Sequence, residues 1–167
     1  MPENTFKIRD KLIGGDKVFI IAEIGNNHNG SVDRAFSLID HCLEIGADCA
    51  KFQMRNLQEV YRSNSLNKQG DDLGVEYVID LLDRYELSLE DHRKLKEYCD
   101  KKGIMYLCTP WDHKSLEYLE EFKVDAYKVA SADLTNIPLI NSLIGTNKPL
   151  ILSTGMSTEE EVEEISN

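Results

Sequence analysis

The sequence predicts an α/β fold of the (β/α) TIM-barrel type, incomplete, with about five of the eight βα units. Three observations carry this. Apolar, β-branched runs of strand length recur along the 167 residues, each is followed by a segment with apolar residues at helical spacing, and short polar turns join them. Such alternation builds a parallel sheet through right-handed crossovers. With 41% hydrophobic and 29% charged residues the composition is that of one globular domain.

The elements follow in order. "KVFIIAEI" (17–24) reads as a first strand buried on both faces, and "GNNHNG" as the turn after it. Val32, Ala35, Phe36, Ile39, Cys42 and Leu43 then share one helix face, with Ser31 as the cap and Gly46 closing the end. "DCAKFQM" is the second strand. A longer connection runs from Arg55 to about Leu87, in which Val75, Val78, Ile79, Leu82 and Tyr85 keep a helical period. "SLED" opens the next helix at Ser88 with a capping-box pattern, and Gly103 ends it. "IMYLCTP" is strand three, followed by a helix in "DHKSLEYLEEF". "DAYKVAS" is strand four, and "IPLINSLIG" is a helix with Pro138 in its first turn. "PLILSTG" is strand five, and "STEEEVEEISN" starts a helix of about two turns whose acidic run suits a solvated amino-terminal face.

A parallel sheet of this kind closes either as a doubly wound open sheet or as a barrel. "GNNHNG" lacks the GxGxxG spacing of a dinucleotide site, which weakens the first. A complete barrel takes eight strands and about 250 residues. Residues 1–167 are therefore expected to be the amino-terminal part of a single (β/α)8 barrel, cut short.

The formal net charge of −11 argues against nucleic acid and against anionic membranes as partners, since the long-range field repels both. Neither a signal-peptide core nor a run near 20 apolar residues is present, so a cytoplasmic location is expected. Cys42, Cys49, Cys99 and Cys108 form no CxxC pair and are expected to be reduced core thiols. His28, His41, His92 and His113 make no pair at ligand spacing, so no metal site is expected in this chain; His28 is expected to be a loop histidine bonded to backbone.

The polar residues carry the functional signal. "GADCAKFQMR" and "DAYKVASADL" both place D-x-x-K inside an apolar run, where an unpaired ammonium costs several kcal/mol. In parallel α/β folds the working groups sit at the carboxyl ends of the strands. Those ends here supply Glu23, Lys51 and Gln53, Thr109, Lys128 and Ser131 with Asp133 beyond, and Ser153 and Thr154. Because side chains alternate along a strand, Lys51 and Gln53 share a face, as do Phe19, Ile21 and Glu23. Two ammonium groups, a carboxylate and several hydroxyls at one rim fit a small doubly charged anion such as a phosphorylated carboxylic acid. The plainer readings are a structural ion pair for each lysine, a helix cap for Glu23, and turn or capping roles for the hydroxyls.

"IIAEIGNNHNG", "GADCAKFQ", "CTPWD", "YKVASADLTNIPLI" and "KPLILSTGMST", in that order, resemble the sialic acid synthase family, which makes N-acetylneuraminate and related nonulosonic acids such as legionaminate and pseudaminate. The resemblance implies a barrel that condenses phosphoenolpyruvate with an N-acetylmannosamine-type sugar and releases phosphate. By motif position it implies that Lys51, Thr109, Lys128, Ser131 and Ser153 hold phosphoenolpyruvate. Glu23, Gln53 and Asp133 would face the sugar or the reacting centre, with Glu23, Lys51 and Lys128 as the catalytic set. It also implies a divalent ion of Mn or Mg type whose histidine ligands lie on later strands outside this chain. An antifreeze-like carboxy-terminal domain, absent here, and a homodimer complete the expectation. The chain alone is expected to lack turnover, and its first and last strands, as unpaired edges, to drive self-association. A Schiff-base aldolase and a non-catalytic partial-barrel module are the alternatives.

Overall fold

The computed structural model describes residues 5–60 and 75–166, residues 75–78 by backbone alone. Seven strands are found among them. β1 (Phe6–Ile8) and β2 (Lys11–Ile13) form an antiparallel hairpin. β3 (Ile21–Glu23), β4 (Cys49–Met54), β5 (Met105–Pro110), β6 (Tyr127–Val129) and β7 (Leu150–Leu152) form a parallel sheet. Its spatial order is β3-β4-β5-β6-β7, the order of the chain. No strand order reversal occurs, and that decides between the two closures: a doubly wound sheet needs a switch point, whereas a barrel wall advances one strand at a time. The sheet is the wall of a (β/α) barrel through five units.

The helices cover one face. α1 (Val32–Glu44) follows β3; α2 (Leu57–Val60), α3 (Val75–Tyr85) and α4 (Leu89–Lys102) follow β4. α5 (His113–Glu121), α6 (Ile137–Gly145) and α7 (Glu159–Ser166) follow β5, β6 and β7. The helical period in the long connection is α3; residues 61–74 of that connection lie outside the described residues. Starts are set by side chains that accept otherwise orphaned amides. Ser31, Ser88, Asp112 and Asn136 accept from Arg34, Asp91, Ser115 and Leu139. At α7 the box is reciprocal: Thr158 Oγ1 accepts from the Glu161 amide at 3.3 Å, and Glu161 Oε2 accepts from the Thr158 amide at 2.8 Å.

Two clusters of buried side chains result from the alternation of strand residues. Ala50, Phe52, Met54, Tyr106, Cys108, Tyr127 and Val129 face the helices and form the larger core with Ile39, Leu95, Leu119 and Leu143. Cys49, Met105, Leu107 and Ala126 point to the inner face and pack with Ile8 of the hairpin, Phe19, Ile21 and Ile151. The hairpin thus closes the amino-terminal end of the barrel wall. It is also tied there electrostatically: Arg9 pairs with Asp125 at 3.2 Å and Lys11 with Asp48 at 3.1 Å.

The first strand corrects the expectation of residues 17–24 buried on both faces. Only Ile21–Glu23 pair, and Val18 and Ile20 are exposed. The reason is position: among the described residues β3 has a neighbour strand on one side only, so the apolar run preceding it is held by Asp48, whose carboxylate accepts from the Ile20 amide at 2.8 Å. All four cysteines are free and buried, as expected.

Candidate active site

Register places the polar residues in layers on the inner face. Glu23 lies beside Lys51, and Lys51 beside Leu107. Two residues further along β4, Gln53 lies beside Thr109. Cys108 pairs with Tyr127, so the next residues, Thr109 and Lys128, are level. Lys128 pairs with Ile151, and Ser153 lies just past the end of β7, its amide donating to Val129 O at 3.2 Å. Ser131 opens a 3-10 turn, Ser131–Asp133, above β6. The inner face is thus apolar near the hairpin and polar at the carboxyl ends.

Both lysines are buried, Lys51 at 4% and Lys128 at 8% exposure. Lys51 Nζ meets Glu23 Oε2 at 2.8 Å, and the Glu23 side chain is itself open to solvent at the rim. Lys128 Nζ donates to Ser153 Oγ at 2.6 Å and to Val129 O at 2.5 Å. Neither partner carries a charge. Burial, and then the Lys51 cation, push the Lys128 pKa down, with Glu23 opposing. The two ammonium groups therefore share one face within electrostatic reach. Thr109 is buried beside them at 2% exposure.

Other residues are less tightly joined. Gln53 Oε1 accepts from Arg55 Nη2. Asp133 Oδ1 accepts from Asn136 at 3.1 Å and its Oδ2 is buried without a hydrogen-bond partner, so burial, reinforced by Asp112, raises its pKa. Among the described residues no hydrogen bond ties Ser131 or Asp133 to either lysine. His28 is bonded to backbone, its Nδ1 accepting from the Gly30 amide at 3.1 Å, and burial lowers its pKa.

A second polar group, on the helix side of the sheet, lies outside the sequence-based candidates. A cavity of about 400 Å³ opens between the end of β4, the α3–α4 junction and the first turn of α5. Arg55, Glu86 and His92 line it. The Arg55 guanidinium lies 5.3 Å over the Trp111 ring, with Glu86 Oε2 3.7 Å from Nη1. His92 is almost wholly buried, with Nδ1 2.8 Å from the Tyr106 hydroxyl; burial lowers its pKa to about 4 and raises that of Glu86 to about 7. Helical periodicity marks His92 only as a buried position, and Arg55 follows a strand with no repeat pattern to single it out. These contacts arise between segments up to 56 residues apart.

Strand order and the cationic rim define the class: a barrel-type α/β protein whose strand ends carry two buried lysines beside hydroxyls. The sequence profile of the NeuB family matches residues 38–167, and the chain belongs to that family. It is 42% identical over 159 residues to the uncharacterized protein MJ1065 of Methanocaldococcus jannaschii, covering 95% of this chain and 44% of that one. It is 36% identical to the spore coat polysaccharide biosynthesis protein SpsE of Bacillus subtilis, covering 96% and 43%. The crystal structure of N-acetylneuraminic acid (sialic acid) synthetase from Leptospira borgpetersenii, in complex with citrate, superposes with a TM-score of 0.84 at 31% identity, covering 98% of this chain and 54% of that one. The chain spans less than half the length of these two curated relatives.

Proposed function

We propose that the rim binds phosphoenolpyruvate and that the chain supplies the anion-binding half of a nonulosonic acid synthase. The observation carrying this is the pair of buried ammonium groups on one face: Lys51 pairs with Glu23, whereas Lys128 holds only uncharged partners and has its proton affinity lowered by burial and then by the Lys51 cation. An arriving dianion relieves that repulsion. Lys51, Lys128, Thr109, Ser131 and Ser153 are assigned to the anion. Glu23, Gln53 and Asp133 are assigned to the acceptor, an N-acetylmannosamine-type aldehyde.

In this reading C3 of phosphoenolpyruvate forms the new C–C bond to the aldehyde carbon, whose oxygen takes a proton. Water then adds at C2 and loses a proton. Cleavage of the C2–O bond releases inorganic phosphate and leaves the 2-keto acid. Glu23, ion-paired at 2.8 Å yet open to solvent, is suited to hold or pass a proton at that rim. Among the described residues no three His, Cys, Asp or Glu side chains gather so as to hold a metal ion. The resemblance places the ligands of the expected divalent ion on later strands outside this chain, and no step is derived through it. No helix among them is long and apolar enough to cross a membrane.

Calorimetric titration of this chain with phosphoenolpyruvate tests the assignment. Binding is expected, weakened about ten- to a hundredfold by Lys51→Met or Lys128→Met, the loss of one charge-assisted hydrogen bond. No binding by the wild type, or binding indifferent to both substitutions, overturns it. One observation favours a second reading: a buried lysine with lowered proton affinity beside another cation is also what Schiff-base chemistry requires. Borohydride trapping of pyruvate on Lys128 would establish the aldolase reading in place of the first.

A further inference from the structure

We propose that Arg55 is a positioning residue for Gln53, locking its side-chain amide so that the NH2 group is presented at the barrel mouth to a hydrogen-bond acceptor on the ligand. The inference concerns the acceptor side of the site and rests, for the ligand, on the function proposed above; the orientation itself does not.

The argument starts from donor chemistry. A guanidinium has five N–H donors and no acceptor, so the amide atom it touches must be the oxygen. Arg55 Nη2 donates to Gln53 Oε1, and the amide nitrogen is consequently turned away. It faces the loop between β3 and α1: a Cβ built on Gly25 would stand 3.6 Å from Gln53 Nε2. Gly25 has φ 52, and that loop follows directly on Glu23 at the rim.

Arg55 is itself held by two further groups and buried. Trp111 supports its plane, Glu86 sits 3.7 Å from Nη1, and the residue is 8% exposed. Nη1 is nonetheless buried without a hydrogen bond, because 3.7 Å is beyond hydrogen-bonding distance. A guanidinium placed only to neutralise Glu86 would close that gap. Here the guanidinium's hydrogen bond is the one to Gln53, while Glu86 is met by its charge at 3.7 Å and by the Arg55 backbone amide. The geometry therefore favours the amide as the group Arg55 serves. A neutral donor at this point also suits a rim that already holds two cations, since it selects an acceptor oxygen without adding charge.

Side-chain amide NMR on the chain tests this without reference to turnover. The Gln53 Nε2H2 pair, assigned by its disappearance in Gln53→Glu, is expected to show order close to that of the backbone in the wild type. Arg55→Met is expected to bring it to the position and mobility of a free glutamine while the backbone spectrum stays folded. Arg55→Lys, which keeps a cationic donor, is expected to restore part of the shift. Free-glutamine mobility in the wild type overturns the proposal without any variant, as does an unmoved pair in folded Arg55→Met. A titration of the wild type with phosphoenolpyruvate, run on the same sample, separates the two readings: failure to bind counts against the proposed function, while the amide pair decides the role of Arg55.

Discussion

Lys128 shows how a single residue can be placed against its own stability. Its ammonium is buried and faces a second cation, so its folded pKa is depressed. The penalty is fully present below that pKa and is relieved as pH rises toward 10.5, where the unfolded chain also loses its proton. Lys128→Met is accordingly expected to weaken phosphoenolpyruvate binding about ten- to a hundredfold, with Tm unchanged or raised. A fall of several degrees would mean that its bonds to Ser153 and Val129 outweigh the desolvation. His92 and Glu86 form an opposed pair. His92 is depressed from 6.5 to about 4, so stability is lost as pH falls through that window. Glu86 is raised from 4.5 to about 7, so stability is lost as pH rises through that one. Between pH 7 and 5 each changes stability by about 2 kcal/mol, with opposite sign. Glu86→Gln leaves only the histidine, and urea unfolding should show the variant losing about 2 kcal/mol relative to wild type over that interval. Parallel pH curves would contradict this assignment.

The hairpin β1–β2 gives the two D-x-x-K segments a second meaning at the scale of elements. Asp48 and Asp125 stand at the amino ends of β4 and β6 and bind Lys11 and Arg9. Three residues on, about 10 Å away at strand rise, Lys51 and Lys128 stand within β4 and β6 on the inner face. One short pattern thus ties the wall to the hairpin and supplies its two inner-face lysines. Ile8, at 2% exposure, plugs the inner face against Cys49, Met105, Leu107 and Ala126. Ile8→Ala is expected to cost about 2–4 kcal/mol by equilibrium unfolding. A cost below 1 kcal/mol would show that the hairpin does not seal this end. The helices were legible because caps are local: Ser31, Ser88 and Gly103 act where their spacing places them. The hairpin was not, since "FKIRDKLI" shows its apolar pattern over too few residues to separate strand from loop.

The parallel sheet ends at β3 and β7, whose outer edges have no partner strand among the described residues. Beside β3, Val18 and Ile20 add exposed apolar surface. An unpaired edge next to such a patch pairs readily with another chain. Sedimentation velocity is expected to show a weight-average mass above that of one chain, rising with concentration. A single monomeric boundary at all concentrations would count against it.

The sequence by itself determined the alternation of strands and helices, the caps, and the side of each strand on which Lys51, Gln53 and Lys128 stand, because these depend on periods of two and 3.6 residues within one segment. It also carried the family, through five ordered motifs. Only the tertiary structure decided that Lys128 has uncharged partners while Lys51 has Glu23, that β3 is a half-exposed edge, and that Arg55 reaches Gln53 between Trp111 and Glu86. Those facts depend on which segments become neighbours when the sheet is assembled, and no local period encodes them.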